Sequence, residues 1–220
     1  MLRLLLTAAA PFQGFIAPIS ATHSFINRQA LAILAADGHQ DEAGWLLRQI
    51  DALCEGGDWA DIGWKNVGHM YDPTTGQGFK GWPSAPQMLR QYWDLARRHQ
   101  AEGNDPQTAF YLGASVHLVQ DLCVPHHAAA TVWQGHREFE TWAARYRHRF
   151  AVHAGGLYNL ADTPEGWVMA NADYTRAHWS HCLIANLGRP LLLAAVGDLL
   201  PRAQRTTAGF IAYFCRRPPD

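Results

Sequence analysis

Five residues between positions 117 and 140 have the types and the spacing that hold a metal ion. His117 and Asp121 are four apart. On an α-helix that interval stacks two side chains on one face, one turn apart, where both can grip one ion. An isolated His-x3-Asp pair is most simply a core histidine satisfied by its i+4 carboxylate. Here it is not isolated. Leu122, Cys123 and Val124 lead to Pro125, which ends a helix, and His126 and His127 follow at once. His136 comes nine residues after His127, and His136-x3-Glu140 repeats the helical grip. Upstream, Asp58-Trp59-Ala60-Asp61 and His69-Met70-Tyr71-Asp72-Pro73 supply further carboxylates and an imidazole that can complete a site two helices leave open.

The elements that position these residues read as helices throughout. Residues 22–36 start at Thr22 as an N-cap and carry Phe25, Ile26, Ala30 and Ile33 along one side. Residues 41–54 and 84–102 show the same spacing. Between them, residues 55–82 are rich in Gly, Asp and Trp and read as a long loop, a length that usually marks function. Residues 105–124 are apolar nearly all round, the pattern of a buried central helix. A helix follows over 135–149, and residues 150–172 read as irregular. Residues 174–216 are helical again, interrupted at Gly188-Arg189-Pro190 and kinked or broken near Pro201. No strand-like alternation with hairpin signals occurs. The expectation is one all-α, multi-helix domain over residues 22–220.

Bulk composition narrows the function classes. Of 220 residues, 48% are hydrophobic and 17% charged, which excludes a disordered chain. The 18 basic and 19 acidic residues give a net charge of −1, and no Lys/Arg block offers a footprint for duplex nucleic acid. Twelve histidines are the unusual count, and their spacing decides what they mean. Cys54, Cys123, Cys182 and Cys215 form no CxxC pair, so a cysteine zinc finger is excluded; buried thiols are the simplest reading. Residues 1–21 fit two readings, a signal peptide cleaved near Ala21 or a packed N-terminal helix.

The segments GHMYDP, YLGASVHLVQDLCVPHH and GHREFE resemble the signature segments of bacterial zinc-dependent phospholipases C, and THSFIN and RTTAGFIAYF resemble that family's first and last helices. The likeness runs from about residue 20 to near the end. Related S1/P1-type nucleases share the metal plan but typically end the pattern in His-x3-Asp, so Glu140 favours the phospholipase branch. The resemblance implies zinc as cofactor, two ions with a third beside them. Asp58, His69, His117 and Asp121 would hold the first, and His127, His136 and Glu140 the second. His23, sharing Asp121, would hold the third. The resemblance favours Asp58 over Asp61 because an aromatic, Trp59, follows it. It favours His127 over His126 by its six-residue interval from Asp121. One departure is clear: the family's third zinc also uses the amino group of an N-terminal Trp, and no Trp precedes His23.

The chemistry implied is hydrolysis of a glycerophospholipid phosphodiester to diacylglycerol and a phosphorylated head group. Zinc acidifies water, neutralises phosphate oxygens and orients attack. Three Zn²⁺ against the carboxylates of Asp58, Asp121 and Glu140 leave a local excess of about +3, which draws in an anionic diester. Asp58 is the expected general base. Trp59 and Trp64 are the expected head-group wall, since aromatic faces attract quaternary ammonium. Choline-preferring relatives carry an aromatic three residues before the loop histidine; here Asn66 stands there, so no choline preference is expected. Two other readings stand beside this one: a nuclease of the S1/P1 type, and a non-catalytic metal-binding relative. The resemblance also implies a secreted or cell-envelope location and a phospholipid partner, with no nucleic acid as first choice.

Overall fold

The structure is a computed structural model that describes residues 20–132, 135–179 and 189–216. Among these it contains seven α-helices and no strand: α1 (Ser20–Ala36), α2 (Gln40–Asp61), α3 (Ala85–Ala101), α4 (Asp105–Asp121), α5 (His136–Tyr146), α6 (Pro164–Arg176) and α7 (Arg189–Arg216). Short 3-10 turns at Lys65–His69 and His127–Ala129 join them. The all-α expectation holds for these residues. The expected signal peptide or N-terminal helix falls almost wholly outside the described residues, and Cys182 and Gly188 lie outside them too.

Local chemistry sets the helix starts. The Ser84 N–H donates to Gln87 Oε1 at 2.8 Å ahead of α3. Asn104 Oδ1 accepts the Gln107 N–H at the head of α4, and Thr163 Oγ1 accepts that of Gly166 at the head of α6. Each of these three helices carries a proline in its first turn, where no N–H is missed. α6 therefore begins inside the segment expected to stay irregular, at a Thr-Pro start whose helical pattern is short.

α4 runs through the middle of the molecule and packs on α2, α3, α6 and α7. Every residue from Leu112 to Cys123 is buried. Its crossing with α2 is set by glycines. A Cβ on Gly56 would stand 1.8 Å from the Phe110 carbonyl oxygen, and one on Gly113 would stand 2.0 Å from that of Leu53. The two backbones touch, and only glycine permits it. Here the structure corrects the expected loop over 55–82. Gly56-Gly57 looks like a breaker in sequence, yet α2 continues through it to Asp61 because the missing side chains are what let α4 approach.

α7 likewise continues across Pro201 as one helix rather than breaking. Val196 and Leu199 before it, and Ala203 and Phe210 after it, are all buried, so core packing holds both halves in line. Cys54, Cys123 and Cys215 are free thiols, and burial pushes Cys123 and Cys215 each up to about 12. That agrees with packing thiols rather than disulfides.

The Gly113 contact gives a direct test. Gly113→Ala places a methyl against backbone that no rotamer change can clear, at a cost of about 1–3 kcal/mol or more. The melting temperature is expected to fall by roughly 3–10 °C. Gly44→Ala, on the open side of α2 with only the Arg48 guanidinium at 3.7 Å, is expected to be neutral or slightly stabilising.

Candidate metal centre

Asp61, His69, His117 and Asp121 converge at the α2–α4 crossing, each offering one donor atom, all within 4.8 Å of one another. The Gly57 position faces His117, its Cβ site 3.9 Å from Nδ1. Four residues on, Asp61 occupies the same stripe of α2 and so reaches His117. Its Oδ1 lies 3.2 Å from His117 Nε2 and 3.6 Å from His69 Nδ1. Asp121 Oδ2 lies 3.2 Å from His117 Nε2 and 2.9 Å from His69 Nδ1. Ligands held at about 2.0–2.1 Å around a tetrahedral zinc sit roughly 3.3 Å apart, and the four carboxylate–imidazole distances, from 2.9 to 3.6 Å, bracket that spacing. His117 Nε2 is buried between two carboxylate oxygens, each at 3.2 Å. The set fits a divalent ion.

A second set is His127, His136 and Glu140. His127 Nε2 faces His136 Nε2 at 2.9 Å, and His136 Nε2 lies 3.0 Å from Glu140 Oε1, its i+4 neighbour on α5. His127 Nδ1 donates to the His69 carbonyl at 3.3 Å, which leaves its Nε2 bare for a ligand. That bond, and the Tyr71 N–H on the His127 carbonyl at 3.0 Å, tie the two sets together. His126 takes a different place, stacked on the His136 ring and edge-on to Trp179.

A third, smaller corner forms at His23. Its Nε2 lies 3.5 Å from Asp121 Oδ1, the carboxylate oxygen facing away from the first set, and its ring is 4.2 Å from that of His117.

Burial works against every charge here, so the signs of the shifts show which partners win. Asp61 loses ground to burial, yet His117 beside it holds its carboxyl down at about 2. Asp121 is likewise lowered despite burial, by His117 and His127. His117 is raised against burial by Asp121 and Asp61, and His136 against burial by Glu140. Burial dominates at His127, which falls to about 4, and at His23, which is also lowered.

One expected residue is elsewhere. Asp58 lies on α2, not on a loop, and its side chain is exposed. It is one residue past Gly57, so the helix turns it about 100° away from His117 toward solvent. Asp61 stands where Asp58 was expected. Trp59 is half-buried in an aromatic cluster with Tyr92, Phe110 and Tyr111, with Lys65 over its ring, which accounts for its ring without a ligand. Trp64 precedes the 3-10 turn that carries His69.

Beside the centre lies a small open pocket. His23, Asp121 and Glu140 are among its polar lining residues, and Ile26, Phe139 and Leu199 among its apolar ones.

A family model described as zinc dependent phospholipase C matches residues 22–188. The chain belongs to the zinc-dependent phospholipase C family. It is 27% identical over 166 residues to phospholipase C of Clostridium perfringens (strain 13 / Type A), covering 64% of this chain and 42% of that protein. It is 29% identical over 167 residues to phospholipase C of Bacillus cereus, covering 65% of this chain and 59% of that protein. The chain thus spans about half the length of these relatives. The alpha toxin of Clostridium absonum has the same fold, with a TM-score of 0.76 at 22% identity over 88% of this chain and 62% of that one.

Charge on His117 predicts how zinc enters. A histidine raised by two carboxylates keeps its proton into the neutral range and competes with the metal, whereas the already neutral His127 does not. Zinc uptake at pH 7 is expected to release protons, and affinity to rise with pH by about tenfold per unit for one displaced proton. Calorimetric titration in buffers of different ionisation enthalpy measures both. Uptake with no proton release contradicts the charged state of His117.

Proposed function

We propose that this chain hydrolyses the phosphodiester of glycerophospholipids on the glycerol side, yielding diacylglycerol and a phosphorylated head group. The observation that carries the reading is the pairing of two metal-donor sets, joined through Asp121 and His127, with a pocket whose lining divides into candidate metal donors and apolar side chains. A phospholipid has that same division between phosphate and glyceride.

In this reading Asp61, His69, His117 and Asp121 hold one zinc, His127, His136 and Glu140 a second, and His23 with Asp121 a third. Bound zinc supplies an acidified water and Lewis-acid contact to the phosphate oxygens. The protein's part is to keep the imidazoles in fixed tautomers and the carboxylates ionised. His69 fixes the His127 tautomer through its main-chain carbonyl. Asp61 replaces Asp58 as the carboxylate that accepts the water's proton. Its side chain is 39% exposed against 5% for Asp121, so it alone of that pair meets incoming water. Trp59 and Trp64 remain the aromatic residues nearest in sequence to this edge. Trp59 steadies α2, and head-group contact falls to Trp64. Export beyond the cytoplasm goes with this reading, and N-terminal sequencing of the mature protein tests it.

The decisive experiment counts zinc per purified chain and assays phosphatidylcholine, other phospholipids and single-stranded DNA with and without chelator. Two or more zincs and chelator-sensitive lipid hydrolysis are expected. Fewer than two zincs sinks the enzyme reading, and cleavage of DNA without lipid moves the chain to the nuclease class. Among variants, Asp61→Asn is expected to lower turnover about a hundredfold or more and to weaken one zinc. Asp58→Asn is expected to keep both; the reverse pattern would restore Asp58 to the site.

A further inference from the structure

Gln120 immediately precedes Asp121 on α4 and is 2% exposed. One residue along a helix is a turn of about 100°. So while Asp121 faces the α2 side, Gln120 faces α1 and α7. A buried primary amide is costly unless its polar ends are paired. Here they are. Gln120 Nε2 donates to Asn27 Oδ1 at 2.7 Å and to Thr207 Oγ1 at 3.3 Å. With both amide hydrogens aimed at those oxygens, the side-chain carbonyl is left facing His23, 2.7 Å from Nδ1. His23 and Asn27 are one turn apart on α1, so one amide clamps two turns of that helix.

We propose that Gln120 is a positioning residue: its carbonyl accepts the Nδ1–H of His23, fixes that tautomer, and aims the bare His23 Nε2 at Asp121 Oδ1. Neutral imidazole carries one N–H, and an acceptor at Nδ1 decides which nitrogen keeps it. The result is a lone pair at Nε2 lying 3.5 Å from a carboxylate oxygen. Two acceptors set facing each other repel unless a cation sits between them. The opposite tautomer would give a plain hydrogen bond to Asp121, and Gln120 forbids it. The arrangement makes sense as the mount of a metal donor. This last step rests on the zinc reading above, whereas the tautomer itself does not.

The test uses the full chain with ¹⁵N-labelled histidine, the His23 signals being assigned with His23→Asn. In metal-free wild type, imidazole ¹⁵N shifts are expected to show Nδ1–H and a bare Nε2. Gln120→Glu, which keeps an acceptor, is expected to preserve that tautomer. Gln120→Met, of similar volume but without one, is expected to lose it. A residue that only packs α1 against α4 and α7 would leave the tautomer unchanged in Gln120→Met. With zinc added, Gln120→Met is expected to weaken the last-bound ion by about 10- to 100-fold and leave two ions in place, while Gln120→Glu holds or tightens it. An Nε2–H tautomer in wild type, or Nδ1–H retained in Gln120→Met, overturns the proposal. If Gln120→Met does not fold, wild type and Gln120→Glu still decide it by their shifts. Wild type that binds no zinc but shows the Nδ1–H tautomer would remove the zinc reading and keep the role of Gln120.

Discussion

The contact on which the rest depends is between two backbones. Gly56 on α2 and Gly113 on α4 bring their helices together so closely that a methyl group at either would overlap a carbonyl oxygen. Only at that separation can Asp61, from the end of α2, reach His117 and Asp121 on α4. Packed at an ordinary interaxial distance of 8–10 Å, the same sequence would leave Asp61 short of the histidines. The site is therefore not laid on the surface of a finished bundle. The helix crossing that builds the core also closes the donor ring, so loss of one contact harms both.

Asp121 is where the parts meet. One of its oxygens faces His69, His117 and His127, and the other faces His23. Four imidazoles thus share one buried carboxylate. Behind it stand residues with no metal-donor atoms aimed inward. Asn171 donates to the Val119 carbonyl at 2.8 Å and to Thr206 at 3.1 Å, and Arg202 in turn donates to Asn171. These bonds grip α4 just before its metal-facing turn.

Much of this was legible in sequence because i, i+4 spacing is a geometric statement. His117-x3-Asp121 and His136-x3-Glu140 each fix a face of a helix whatever packs around it. The choice of His127 over His126 rested on an interval, and the structure does bring His127, His136 and Glu140 together. The structure groups Asp61 rather than Asp58 with the histidines, for a physical reason. Gly56-Gly57 carries two meanings, turn former and close-crossing helix residue, and the second depends on Gly113, which lies 57 positions after Gly56. Read as helix, Gly57 and Asp61 share a stripe and Asp58 leaves it, so the signal was present but conditional. Gln120 and Asn171 could not be found at all, since a polar residue in an apolar helix announces burial only once its partners are known.

The seam joining Asn27, Gln120 and Thr207 spans nearly the whole chain. Every candidate donor lies between residues 23 and 140, yet the helix that braces them is the last one described. A nascent chain thus presents its histidines and carboxylates well before Thr206, Thr207 and Arg202 have been synthesised. Until those arrive, the donors are held by local turns alone and the polar seam has no third wall. Assembly of the centre is in this sense a late event, gated by the C-terminal helix, and contacts so distant in sequence close slowly. An early-bound ion would meet loose ligands in varied geometry, and the final one would meet a rigid mount.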